Sequence, residues 1–173
     1  MANAKRIAPN ILVTGTPGVG KSTLCQKLVE LTGLRWIEIS KVAKENECIE
    51  EWDHEYQCGV LDEDKLMDGL EDTMANGGNI VDYHSCEFFP ERWFDIVFVL
   101  RVDNTILYDR LTSRGYIGRK LEDNIDCEIF QTILEEAQSS YKKEIVHELQ
   151  NRNLEDLENN LQRICLWLQQ WFE

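Results

Sequence analysis

Residues 10–24 read NILVTGTPGVGKSTL. The apolar run Asn10–Thr14, stopped by a glycine, predicts a buried strand. Lys21–Thr32, closed by Gly33, predicts an amphipathic helix with a glycine C-cap. Between them, Gly15, Gly20, Lys21 and Ser22 fit the spacing GxxxxGK[ST]. Strand, glycine loop and helix in that order form a phosphate cradle. The glycines let successive backbone N–H groups turn into one concavity, and the first turn of the helix adds its free N–H groups and the positive end of its dipole. In such a loop the lysine reaches the β and γ phosphates of a nucleoside triphosphate, and the serine hydroxyl faces Mg²⁺.

Outward from this loop, short apolar runs alternate with helical stretches, which predicts a parallel α/β fold. Strands are expected at Arg35–Ile39, Asn79–Asp82 and Ile96–Leu100, and helices at Asp62–Ala75 and Thr105–Leu111. A long helix is expected from about Leu121 to Lys143 with Phe130, Leu134, Ala137 and Tyr141 facing inward. Ile145–Leu149 fits either an extension of that helix or a fifth strand. The last helix carries Leu154, Leu157, Leu161, Ile164, Leu168 and Trp171 on one stripe, which reads as core packing. Two segments break the rhythm. Glu45–Asp64 holds nine acidic residues in twenty with no Lys or Arg, and Arg114–Lys120 reads RGYIGRK. Irregular insertions in a compact domain are commonly lids or binding loops.

The chain has 173 residues, 43% of them hydrophobic and 29% charged, an ordinary balance for a single globular domain over residues 1–173. Its 18 basic against 32 acidic residues give a net charge of −14. That excess argues against general nucleic-acid binding and against a polybasic membrane anchor. No apolar run approaches a membrane span, and the opening MANAKRIAPN lacks the apolar core of a signal peptide. Six scattered cysteines without a CxxC pair read as reduced thiols. Cys48, His54 and Cys58 share the acidic insertion, but their spacing fits no common zinc site.

A P-loop requires a carboxylate for the Mg²⁺ shell, and Asp82, at the carboxyl end of the run NIVD, is the candidate. His84 follows two residues later, where it can point the same way. No NKxD segment is present to read guanine. Arg110 and Arg114, four apart, share a helix face at the RGYIGRK insertion, where a closing lid would bring them onto transferring phosphates. An insertion on each side of the crevice, one per substrate, suits phosphoryl transfer between nucleotides, which must exclude water.

Five segments carry a resemblance to a known family: GTPGVGKST (15–23), LDEDKLMDGL (61–70), GGNIVDYHSCEFFPERWFDIVFVLR (77–101), YDRLTSRGY (108–116) and KLEDNIDCEIFQ (120–131). Together they resemble the adenylate kinase isoenzyme 6 family, also described as coilin-interacting nuclear ATPases. The resemblance runs from about Asn10 to Trp171. It implies an adenylate kinase-like P-loop fold with a five-stranded parallel sheet, flanking helices, an NMP-binding insertion at about 38–61 and a short lid at about 113–123. The implied activity is broad-specificity nucleoside monophosphate kinase, with AMP or dAMP as acceptor and ATP·Mg²⁺ as donor, accompanied by ATPase activity. An ATPase assembly factor, with AMP kinase activity secondary, is the alternative.

Residue by residue, the resemblance implies ATP binding by Gly15, Thr16, Pro17, Gly18, Val19, Gly20, Lys21, Ser22 and Thr23, with Arg114 from the lid. It implies Mg²⁺ at Ser22 and, through water, at Asp82, and hydrolysis assisted by His84. Where family members have an acidic residue and an arginine, this chain reads SKVAK, leaving Lys41 and Lys44. Lys44 keeps a charge for the acceptor phosphate without the bidentate fork of arginine, and Arg92 is a second acceptor-side candidate. Asn153 stands where family members often carry a lysine near the adenine pocket, and fits equally as the N-cap of the last helix, with Asp156 three residues on. The implied setting is small-subunit ribosome maturation. It brings a basic platform ribosomal protein as partner, expected on the acidic face 45–64, coilin as a further partner, a monomeric state, and location in the nucleus (nucleoplasm and nucleolus) and cytoplasm.

Overall fold

The computed structural model describes residues 6–53 and 58–173, with the backbone alone described at 49–53 and 58–60. Its centre is a five-stranded, fully parallel sheet built from β1 (Ala8–Thr14), β2 (Arg35–Glu38), β5 (Gly77–Asp82), β6 (Ile96–Arg101) and β7 (Val146–Gln150). The strand order is β2-β5-β1-β6-β7, so β1, which leads into the P-loop, is central. β3 (Ile49–Asp53) and β4 (Cys58–Leu61) form a separate antiparallel pair.

Alternation along the strands sends side chains to two opposite cores. Ile11, Val13, Ile80, Ile96 and Phe98 pack with α1 (Lys21–Thr32), α4 (Asn104–Ser113) and α7 (Leu154–Phe172). Leu12, Val81, Val97 and Val99 pack on the other face with α3 (Glu63–Asn76) and α6 (Thr132–Ser140). Helix ends follow local chemistry. Gly33 ends α1 at φ 71°, its N–H donating to the Val29 carbonyl. Asp62 and Asp103 cap α3 and α4, accepting from the Lys65 and Ile106 N–H groups.

Three expectations need correction. The long helix over 121–143 is two helices, α5 (Gly118–Ile129) and α6, broken at Phe130–Gln131, where Gln131 turns left-handed at φ 58°. Leu121 and Ile125 of α5 pack into one core, whereas Ile133, Leu134 and Ala137 of α6 pack into the other. A straight helix cannot serve both faces of a sheet. Phe130 sits at the break and is 69% exposed rather than inward. Ile39 begins α2 (Ile39–Glu45) instead of ending β2, and Leu154, at the first turn of α7, is exposed. The ambiguous Ile145–Leu149 segment resolves as β7, in register with β6 from Val97↔Val146 to Arg101↔Gln150. No helix among the described residues is long and apolar enough to cross a membrane. Cys25, Cys48, Cys86, Cys127 and Cys165 are free thiols.

Candidate active site

The P-loop runs from the carboxyl end of β1 into α1, and its backbone can be followed only by glycine at its critical points. Gly15 sits at φ 148°, and a Cβ there would lie 2.8 Å from both the Leu100 carbonyl oxygen and Val19 Cγ2. No side chain caps α1 at Gly20, so the first-turn N–H groups remain available to an anion. Lys21 Nζ folds back over the loop and donates to the carbonyls of Gly15 (2.7 Å) and Thr16 (3.1 Å). Burial lowers its pKa to about 8, against an opposing pull from Asp82.

A cleft of about 390 Å³ opens above this loop. Its floor holds Lys21, Ser22 and Asp82, one side is formed by Glu38, Ser40, Tyr83 and His84, and the other by Arg114, Tyr116, Lys120 and Asn124. Asp82 is 5% exposed. Burial raises its pKa, countered by Lys21 and by hydrogen bonds from Trp36 and Ser22, the indole Nε1 lying 3.3 Å from Oδ2. The His84 ring lies against Tyr83, tilted by 46° with ring centroids 4.2 Å apart. Its pKa is lowered to about 4, by desolvation first and then by Lys21, so the imidazole is neutral near pH 7. By surface area the residue is exposed, and it lines the cleft.

The structure separates the other candidates. Arg114 lines the cleft, but Arg110 does not. Arg110 donates to the carbonyls of Gly18 (3.2 Å), Asn151 (3.2 Å) and Arg152 (3.1 Å), fastening the P-loop to the β7–α7 loop. With its donors turned to carbonyls, it holds the loop rather than reaching into the phosphate cleft. Arg110 instead lines an adjoining cavity of about 290 Å³ with Gly18, Thr23, Arg114, Asn153 and Leu157. Asn153 is the N-cap of α7, accepting from the Asp156 N–H at 2.9 Å, and it lines this cavity as well.

Arg92 cannot meet an acceptor phosphate here. Residues 83–95 return from the carboxyl end of β5 to the amino end of the parallel strand β6. By Arg92 the chain has therefore reached the far end of the sheet, where its guanidinium pairs with Glu71 at 2.7 Å. Lys44 is exposed one turn beyond Ser40 on α2 and is not among the residues lining the cleft. His54 and the side chains of residues 49–60, including Cys58 and the middle of the acidic stretch, lie outside the described residues. No cluster of three metal-ligating side chains occurs among the described ones.

Several residues at this site were not anticipated. Glu38 ends β2 directly beside Asp82 in register, and no hydrogen bond or ion pair is drawn to its carboxylate among the described residues. Lys120 and Asn124 come from α5. The Ser22 hydroxyl and the Asp82 carboxylate, with Glu38 alongside, make a hard-oxygen set at the end of the P-loop. That chemistry fits Mg²⁺.

A family model described as "AAA domain" matches residues 11–131. A protein of Dictyostelium discoideum named "Adenylate kinase isoenzyme 6 homolog" is 54% identical over 171 residues, covering 99% of this chain and 98% of the relative. A Drosophila melanogaster protein of the same name is 53% identical, covering 95% of this chain and 94% of the relative. The chain belongs to the adenylate kinase isoenzyme 6 family. The Saccharomyces cerevisiae member, "Adenylate kinase isoenzyme 6 homolog FAP7", is 46% identical, covering 98% of this chain and 87% of that protein. Among solved structures, shikimate kinase from Acinetobacter baumannii superposes with a TM-score of 0.65 at 16% identity, over 95% of each chain. Shikimate kinase from Bacteroides thetaiotaomicron gives 0.61 at 17% identity, over 93% of this chain and 98% of that one. Those likenesses are of fold: a P-loop kinase sheet. Membership in this family supports a P-loop nucleotide kinase or ATPase and implies ATP binding with a divalent metal.

Proposed function

We propose that the chain transfers the γ-phosphoryl group of ATP to AMP or a related nucleoside monophosphate, and hydrolyses ATP when water takes the acceptor's place. The observation that carries this reading is a single cleft with the P-loop at its floor, lid cations on one side and the ends of β2 and β5 on the other. An oxygen of the acceptor phosphate attacks the γ-phosphorus while the bond to the β-phosphate oxygen breaks, leaving two nucleoside diphosphates. Lys21 moves from the Gly15 and Thr16 carbonyls to the phosphates. Arg114 and Lys120 add positive charge from the lid, and Arg110 keeps the P-loop in place. Ser22 and Asp82 would hold Mg²⁺, which when bound would neutralise charge on the phosphates. Neutral His84 accepts a hydrogen bond from a nucleophilic water. Positioning and electrostatics do most of the work, because an ionised phosphate needs no base.

A second reading, an ATPase assembly factor, is favoured by the acceptor side of the cleft. Among the described residues that side offers Glu38, Ser40, Tyr83 and His84, with no cation. In this reading a basic small-subunit ribosomal protein of the platform docks on the acidic face 45–64 and is released with nucleotide turnover. Coilin is a further partner, and a monomer works in the nucleus and the cytoplasm. One comparison separates the two: ADP formation by the purified protein with and without AMP. Strong stimulation by AMP supports the kinase. Equal rates with and without AMP leave the ATPase. Ribosomal-protein binding that does not weaken as salt rises would refute docking on the acidic face.

A further inference from the structure

The segment KLEDNIDCEIFQ contains a carboxylate that the phosphate chemistry above does not use. Glu128 is 3% exposed, and burying a charge is costly unless it is fully paired. Here both oxygens are occupied. Oε1 accepts from the hydroxyl of Thr16 in the P-loop at 3.1 Å. Oε2 accepts from Arg101 Nε and from the Val102 N–H, each at 3.0 Å. Arg101 also donates through Nη2 to the Glu128 carbonyl at 3.1 Å and through Nη1 to Glu148 at 3.2 Å. The carboxylate thus joins three elements: the P-loop, the end of β6 and helix α5.

Helix α5 makes this junction more than structural filling. Lys120, Asn124 and Glu128 are spaced four apart, so they lie along one helix face. Lys120 and Asn124 line the nucleotide cleft, and Glu128, about 12 Å along the axis from Lys120, grips the P-loop. One helix therefore carries cleft residues at one end and its anchor at the other. Thr16 is itself fully buried, and its carbonyl is one of the two that receive Lys21 Nζ. Rotation or sliding of α5 would shift Lys120 and Asn124 relative to the phosphates, and release of Thr16 would loosen the amide cradle and the Lys21 rest position together.

We propose that Glu128 is a positioning residue: through Thr16 and Arg101 it fixes helix α5 and the P-loop in one frame, so that the cradle is preformed for triphosphate. The proposal rests on the nucleotide-binding reading of the P-loop and not on the identity of the acceptor. Binding to a preformed cradle spares the ordering that a loose loop must undergo when ligand arrives.

The test is ATP binding by calorimetry to purified full-length variants, alongside their melting temperatures. Thr16→Val keeps the shape, removes the hydroxyl and leaves Oε1 unpaired. It should weaken ATP binding about tenfold at temperatures well below its melting point. Thr16→Ser restores the donor and should recover most of that loss, which a purely steric role of Thr16 would not allow. Glu128→Gln weakens the same contact, so Thr16→Val/Glu128→Gln should bind about as well as the weaker single variant, where independent effects would multiply. Thr16→Val binding like the parent, equal loss in Thr16→Ser, or multiplied losses in the double variant would each overturn the proposal. If Glu128→Gln does not fold, the Thr16 pair still decides. A parent protein that binds no ATP would instead refute the nucleotide-binding reading beneath it.

Discussion

Replacing Gly20 by alanine tests the geometry of the P-loop more severely than removing any of its side chains. Gly20 adopts φ 99° at the start of α1, a left-handed conformation that costs an L-residue about 1–2 kcal/mol. The added Cβ would lie 2.5 Å from Asn151 Nδ2, closer than any real contact, so the Asn151 side chain must move. Asn151 is 5% exposed, and its amide donates to the Val19 carbonyl at 2.8 Å. Leaving that buried pair unmade costs about 1–3 kcal/mol. Together the two effects predict about 2–5 kcal/mol of destabilisation, or about 4–20 °C in melting temperature for a chain of this size. Thermal and denaturant unfolding of Gly20→Ala measures this directly. Asn151→Ala alone should cost about 1–3 kcal/mol. Gly20→Ala/Asn151→Ala should cost less than the sum by about 1–2 kcal/mol, because one hydrogen bond is lost in both single variants. A Gly20→Ala protein that melts within about 1 °C of the parent, or a strictly additive double variant, would refute the close approach of the β7–α7 loop to the P-loop.

Burial lowers the Lys21 pKa to about 8, and the negative charge of bound phosphates favours its protonated form. ATP binding should therefore take up about half a proton near pH 8, read by calorimetry in buffers of different ionisation heat. Affinity should fall as pH rises above about 8, and Lys21→Arg should abolish the uptake. No uptake in the parent would show that Lys21 is fully charged beforehand. The same lowering costs stability below about pH 8, a cost that fades as pH climbs toward the ordinary value of 10.5. Trp36→Phe removes the indole N–H from Asp82 and should raise the Mg²⁺ concentration needed for half-maximal ATP turnover by about tenfold. ATP affinity measured without metal should stay level, and an unchanged Mg²⁺ requirement would refute the orienting role of that bond. Arg92→Ala breaks only an exposed pair with Glu71 and should leave the KM for AMP unaltered. A raised KM would return Arg92 to the acceptor site.

The parts of the fold that were legible in the sequence are those written in contiguous residues. Ile11–Val13, the glycines of 15–20 and the helix to Gly33 each need only near neighbours to declare their conformation, and the structure has them where the pattern places them. The identity of β7 was different. Val146–Gln150 is half-buried and carries no alternation of its own, and it is a strand because β6 offers it a paired edge. The break at Phe130–Gln131 was hidden for a related reason. Each half of the segment has a good helical stripe, and only the sheet between the two cores makes a continuous helix impossible.

The candidate site divides by the same physics, with one rule that sequence spacing alone does not apply. In a parallel sheet every connection must carry the chain from the carboxyl end of one strand to the amino end of the next, and ligands gather at the carboxyl ends. Nearness in sequence to a functional residue therefore says little until the connection is placed. Asp82 and His84 lie at the mouth of β5. Arg92, eight residues beyond His84 in a segment with the same aromatic richness, has already crossed to the opposite end and lies outside that mouth. Glu38 belongs to the strand run RWIEI and to no motif, so only strand pairing sets it beside Asp82. Glu128 is far from the P-loop in sequence yet touches Thr16, because the β6–β7 connection is long enough to keep α4 and α5 over the carboxyl ends before α6, packed on β6 and β7, makes the return. The cations sort by the same rule. Lys21, Arg114 and Lys120 share the cleft, Arg110 is turned to the carbonyls beside it, and Arg92 is at the far end. A chain with a net charge of −14 thus gathers its cleft cations at the P-loop and on the Arg114 and Lys120 side, while the opposite side offers, among the described residues, Glu38, Ser40, Tyr83 and neutral His84. Whether a dianionic phosphate or a water molecule reacts there therefore turns on whether Lys44 can swing in from α2. Lys44→Ala should raise the KM for AMP while sparing hydrolysis. An unchanged KM alongside AMP-stimulated turnover would show that the acceptor phosphate is met by lid cations alone.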